Sequence, residues 1–144
     1  MKEYLKLYQV IADEAMMGFV TFDASAKHRS VYANKLGREL LELHTDEDIK
    51  KMVLKDLYPE GQSRDMLLLN EDMLLHEGLY QSIIVKKANG MKFIANVGVK
   101  KLHFKNSDHI LLMLQDVTLQ KKLEKELLLK QNEIKSAYEE LLLQ

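Results

Sequence analysis

Few residues in this chain have the type and spacing that chemistry needs. His76-Glu77 is the pairing of a phosphoacceptor histidine box, but such a box continues with a basic residue and usually a proline. Here Gly78-Leu79-Tyr80 follows and leads into a strand-like run, so the pair is set aside. Asp116 and Thr118 sit where a β-rich run gives way to a tail of Leu, Lys, Glu and Gln. At such a junction either side-chain oxygen can accept a hydrogen bond from an unpaired N–H of the first helical turn. The Asp116 carboxylate also suits the positive end of the helix dipole. Met66, Met73 and Met113 are candidates to line an adaptable apolar pocket, with Asn96 as a polar group for a ligand; plain core filling is the alternative for the methionines. Leu127, Ile134 and Leu141 recur every seven residues, with Leu123, Lys130 and Ala137 at the alternate seam position, as in a coiled coil.

Other chemistries are excluded by what is missing from the sequence. There is no cysteine, which removes disulfides, thiolate catalysis and Cys-ligated metal centres. No Gly-x-Ser-x-Gly, phosphate-binding loop, His-Glu-x-x-His or dinucleotide glycine fingerprint occurs, and a non-enzyme is expected. A formal net charge of -1 and the lack of a basic stripe argue against nucleic acid as a partner. No run approaches the roughly 18–20 apolar residues of a membrane span. The charged start, Met1-Lys2-Glu3, is unlike a secretory signal, so a cytoplasmic location is expected.

The elements that must position these residues are legible in outline. Residues 1–15 read as a flanking helix over Lys2–Ala15, with Tyr4, Tyr8 and Ile11 on one face that packs either on its own sheet or on a partner. Gly18–Asp23 and Arg29–Ala33 read as a strand pair. Asn34 caps a helix over Lys35–Leu43, and Asp46–Met52 forms a short one. A longer helix is predicted over Ser63–His76, placing Met66, Leu69, Met73 and Leu74 toward the core and stopping at Gly78. Tyr80–Lys87 and Met91–Phe104 are β-rich runs joined by Ala88-Asn89-Gly90, a tight-turn signal, and His109–Asp116 is a last strand. Strands at both ends with helices between them predict an antiparallel α+β domain over residues 16–118. Residues 119–144 contain no Gly or Pro and read as one long helix, either a parallel coiled coil or an amphipathic helix folded back on its own domain.

In this order, the segments resemble the PAS superfamily. Val31-Tyr32-Ala33-Asn34 is similar to that family's second strand running into an asparagine and the first core helix. Asp56-Leu57-Tyr58-Pro59 is similar to the segment before its long helix, Ala88-Asn89-Gly90 to its glycine turn, and Asp116-Val117-Thr118 to the Asp-x-Thr that opens its connector helix. The resemblance spans about Glu14 to Thr118. It implies a five-stranded antiparallel sheet with helices on one face, often with a ligand pocket between. It further implies a sensory domain that homodimerises through Tyr4, Tyr8, Ile11, Leu123, Leu127, Ile134 and Leu141. Such a domain would pass a ligand- or partner-induced signal through the Asp116–Thr118 joint to an output domain, such as the histidine kinase of a two-component system or a diguanylate cyclase. A ligand-free interaction module is the alternative. The cofactor stays unknown. Covalent flavin and coumarate both need a cysteine, and His76 lies too near the end of its helix to match the histidine of haem-binding members.

Overall fold

Alternation of apolar and polar residues drives the sheet. The computed structural model describes residues 7, 10–25, 27–104 and 106–144. Residues 10–14 are helical (α1). Strands β1 (Gly18–Asp23) and β2 (Ser30–Ala33) form a hairpin, followed by helices α2 (Lys35–Leu41) and α3 (Asp46–Lys51) and a 3₁₀ turn (Leu54–Leu57). A two-residue strand β3 (Leu67–Leu68) and a short helix α4 (Glu71–Leu75) precede the meander β4 (Gly78–Lys86), β5 (Lys92–Phe104) and β6 (Ser107–Asp116). Helix α5 (Thr118–Leu143) completes the chain.

The strands form one sheet in the order β2-β1-β6-β5-β4-β3. The last long strand thus lies beside the first, with Phe19 opposite Met113 and Phe22 opposite Ile110. The side-chain period of a strand is two, so each register puts one set of residues inward. Val20, Phe22, Ile83, Val85, Phe93, Ala95, Val97, Leu112 and Leu114 form the inward set, and all are buried. Leu41, Ile49, Leu54, Leu57, Leu69, Met73 and Leu74 from the intervening segments close over them in one cluster.

Two expectations are corrected. The sheet has six strands, not five, and its sixth, β3, is parallel to β4. The helix over Ser63–His76 is not formed: Leu67 and Leu68 pair with Ile83 and Ile84 instead, and only Glu71–Leu75 is α-helical. The run Met66-Leu67-Leu68-Leu69 fits either period, and the open edge of β4 takes Leu67 and Leu68 as a paired strand. Asn70 then starts α4 by accepting from the Met73 N–H at 3.2 Å. Gly78 is the first residue of β4 rather than a helix stop.

Helix α2 approaches β1 closely. A Cβ built on Gly37 would lie 2.7 Å from the Phe19 carbonyl oxygen, and one on Gly18 would lie 3.0 Å from the Gly37 Cα. Asn34, fully buried, ties this junction together. Its Oδ1 accepts from the N–H groups of Phe19 and Gly37, each at 2.8 Å, and its Nδ2 donates to the carbonyls of Ala12 (2.6 Å) and Met17 (3.0 Å). That uses both donors and both acceptor positions of the side-chain amide.

Candidate functional site

At the end of the sheet where the β5–β6 hairpin projects, four segments surround a cleft of about 1140 Å³. The β1–β2 turn contributes Ala24, Lys27 and His28. Val53, Leu54, Lys55 and Tyr58 come from the 3₁₀ turn, and Glu71, Leu74 and Leu75 from α4. The hairpin supplies Lys101, Leu102, His103, Asp108, His109 and Ile110.

Each wall has a local cause. Asp23 holds the β1–β2 turn by accepting from the Ser25 hydroxyl (2.5 Å) and the N–H groups of Ser25 (3.1 Å) and Arg29 (3.0 Å). The Ser25 hydroxyl, foremost among these, keeps the Asp23 carboxyl below the ordinary carboxylate range. The His28 carbonyl accepts from the Leu54 N–H at 3.0 Å, which docks this turn on the 3₁₀ turn. Helix α4 is fastened from the sheet. Lys101 Nζ donates to the Leu75 carbonyl at 3.0 Å, and the Lys101 N–H donates to Glu77 Oε1 at 2.8 Å. His103 Nδ1 and Asp108 Oδ1 are 2.9 Å apart across the hairpin.

The electrostatics of the cleft are lopsided. Lys27, Lys55 and Lys101 face two carboxylates, Glu71 and Asp108, and Asp108 is already engaged by His103. Burial, and then the nearby charge of Glu71, push the Tyr58 phenol up to about 12, so it remains a neutral hydroxyl at ordinary pH. Among the described residues no group of His, Asp and Glu is arranged to hold a metal ion.

None of Met66, Met73, Asn96 and Met113 lines the cleft. Met73 is buried in the core and Met66 is half-buried. Asn96 and Met113 lie on the opposite face of the sheet from the helices, because the alternate residues Ala95, Val97, Leu112 and Leu114 point into the core. Asn96 Oδ1 accepts from the Ser82 N–H at 3.1 Å. Ser82 sits in the register shift of β4 with φ 57°, and Asn96 satisfies the N–H that this irregularity takes out of the ladder. Met113 lies across Gly98, where an added Cβ would be 2.7 Å from its terminal methyl. His76 is exposed and follows α4, with Nδ1 3.1 Å from the Asp72 carbonyl.

The joint is built differently from a simple cap. Asp116 Oδ1 accepts from the Thr118 N–H at 2.9 Å, as expected. The Thr118 hydroxyl does not serve the helix. Its Oγ1 accepts from the Ile94 N–H at 3.0 Å, while the Ile94 carbonyl accepts from the Val117 N–H at 2.8 Å. The β5–β6 ladder ends at Ala95 opposite Asp116, so Val117 and Thr118 extend it by one residue using a side-chain oxygen. Val117 itself is buried. Beyond it every α5 side chain is exposed except the half-buried Lys121, so α5 does not fold back on the domain. Leu123, Leu127, Ile134 and Leu141 are all open, Ile134 at 69%. Ile11 is also exposed, while Tyr4 and Tyr8 lie outside the described residues.

No protein-family model matches this sequence, and no curated protein is similar to it. Solved structures do resemble it. A PAS domain from a two-component sensor histidine kinase superposes with a TM-score of 0.58 at 12% identity, covering 80% of this chain and 97% of that one. An RNA-binding light-oxygen-voltage receptor gives 0.61 at 15% identity over 91% of this chain and 37% of that chain. The PAS domain of the fruit-fly ELK potassium channel gives 0.57 at 15% identity over 80% and 98%. With its sheet order, its helices packed on one face and these likenesses together, the chain has the PAS fold.

Proposed function

We propose that this chain is a sensory, non-enzymatic domain that homodimerises and passes a ligand- or partner-induced signal through α5 to an output domain, such as a histidine kinase or a diguanylate cyclase. The supporting observation is the joint. The first residue of α5 shares hydrogen bonds with the inner strand β5, while the rest of the helix has almost no contact with its own domain. A shift in β5 therefore reaches α5 directly, and exposed leucines along α5 await a partner. A ligand drives such a shift only by binding the two arrangements with different affinity.

Two experiments test this reading. Ile134→Glu places a charge in the seam formed by Leu127, Ile134 and Leu141, so the mass measured by light scattering should fall from that of two chains to one. A wild-type monomer, or an unchanged mass in the variant, counts against dimerisation through α5. Asp116→Ala removes the acceptor at the start of α5, a loss of about 1 kcal/mol at a helix N-terminus. Amide exchange in the first turn of α5 should accelerate several-fold while exchange in β1 and β5 stays slow. Equal protection in both proteins would remove Asp116 from the joint.

A ligand-free interaction module is supported by one feature, the dense filling between helices and sheet by side chains such as Phe22, Leu57, Leu69 and Leu114. A small molecule retained by the purified protein in native mass spectrometry favours the sensor over the ligand-free module.

A further inference from the structure

We infer that the cleft between the β5–β6 hairpin, the 3₁₀ turn and α4 binds an amphipathic organic anion, a carboxylate carried on an aliphatic or aromatic body. The inference names a ligand class for the sensory reading and rests on that reading for its role in signalling. The binding itself follows from the lining of the cleft.

Its volume, about 1140 Å³, is at or above the upper end of small-molecule sites, which run from roughly 300 to 1,000 Å³. Leu54 and Leu74 are buried, and Ile110 and Tyr58 are half-buried beside them; these supply apolar surface for a hydrocarbon or a ring. Around them stand Lys27, Lys55 and Lys101. Among the described residues, none of these three ammonium groups belongs to an ion pair. The lining holds two carboxylates, Glu71 and Asp108, against these three lysines, and Asp108 Oδ1 lies 2.9 Å from His103 Nδ1. Cations clustered between low-dielectric walls focus a positive potential into the space they enclose. Among the described residues, the Lys101 ammonium donates only to the neutral Leu75 carbonyl. A ligand carboxylate offers it a bond with charge on both partners, which a carbonyl cannot. A neutral ligand of the same shape would gain less from the lysines, and a cation would be repelled.

The test is calorimetric titration of the full chain with sodium decanoate, kept below its micelle concentration, and with 4-phenylbutyrate. Decanol and decyltrimethylammonium are the neutral and cationic controls. At least one carboxylate should bind, and at least tenfold more tightly than decanol, with no measurable binding of the ammonium compound. The double variant Lys27→Glu, Lys55→Glu alters two exposed side chains and should weaken carboxylate binding at least tenfold while leaving decanol unchanged. If it fails to fold by circular dichroism, Lys27→Gln with Lys55→Gln replaces it, with a smaller loss of the same sign. Absence of binding by both carboxylates overturns the inference. So does decanol binding as tightly as decanoate, or a folded lysine variant with wild-type affinity. These failures are separable from failure of the sensory reading. Carboxylate binding to a chain that proves monomeric leaves the site intact and removes the dimeric sensor. A stable α5 dimer that binds neither carboxylate does the reverse.

Discussion

Replacing Asn34 with alanine should lower the unfolding free energy by roughly 3–5 kcal/mol. The substitution strands two N–H groups, of Phe19 and Gly37, and two carbonyls, of Ala12 and Met17, around a side chain with no exposed surface. A hydrogen bond contributes about 1 kcal/mol net, but a buried group left without a partner costs about 1–3 kcal/mol. Loss of the α2 cap alone accounts for about 1 kcal/mol of the total. Since small domains are stable by only about 5–15 kcal/mol, the variant should unfold at much lower urea. Asn34→Asp should be no better, although it has the same shape. Its second oxygen would face the Ala12 and Met17 carbonyls, where Nδ2 donates now. Equilibrium urea unfolding checks both. A midpoint within experimental error of wild type for Asn34→Ala would mean that water takes over these bonds and that the asparagine is only a cap.

Gly37→Ala is expected to destabilise the fold, a sign opposite to the one helix propensity suggests. In an exposed helix interior, glycine to alanine gains about 1 kcal/mol. Here the added methyl would meet the Phe19 carbonyl oxygen at 2.7 Å and the Asn34 Oδ1 at 3.0 Å. Neither neighbour can retreat. The Phe19 carbonyl accepts from the Asn34 N–H at 3.0 Å, and Oδ1 is held by two donors. Overpacking of this kind costs about 1–3 kcal/mol, occasionally more, and here it falls on backbone. A net loss of about 2 kcal/mol is expected, read as a lower urea midpoint at unchanged m-value. A raised midpoint would show that α2 can move off β1, and that the contact between them is slack.

The two substitutions concern the same corner of the molecule, and it is the corner that the sequence describes least completely. Asn34 reads from the sequence as the start of a helix, and it is one. Its bonds to Ala12, Met17 and Phe19 join residues 15–22 positions apart, which no local spacing records. Gly37 carries no turn signal, because its reason is the approach of another backbone.

Strands other than β3 are legible in the sequence by place, though several of their ends differ by one or two residues. Alternation in Gly18–Asp23 and the Asn89-Gly90 turn are local properties, and the structure keeps both. The Asp116–Thr118 junction was legible as a place but not as a mechanism. One of its two oxygens serves the helix and the other serves Ile94, 24 residues away. Ser63–His76 was misread because a run of leucines satisfies helix and strand periods alike, and the free edge of β4 decided between them.

The sequence by itself determined five of the six strands, the Asn34 cap, the long polar-and-leucine tail and the absence of cysteine chemistry. Each of these is set by residue type and by spacing within a few positions. Only the tertiary structure decided which sheet face is inside, and so that Asn96 and Met113 stand away from the core. It also decided that Lys27, Lys55 and Lys101 meet around one cleft. Those outcomes depend on contacts between segments far apart in the chain, and such contacts leave no period in the sequence.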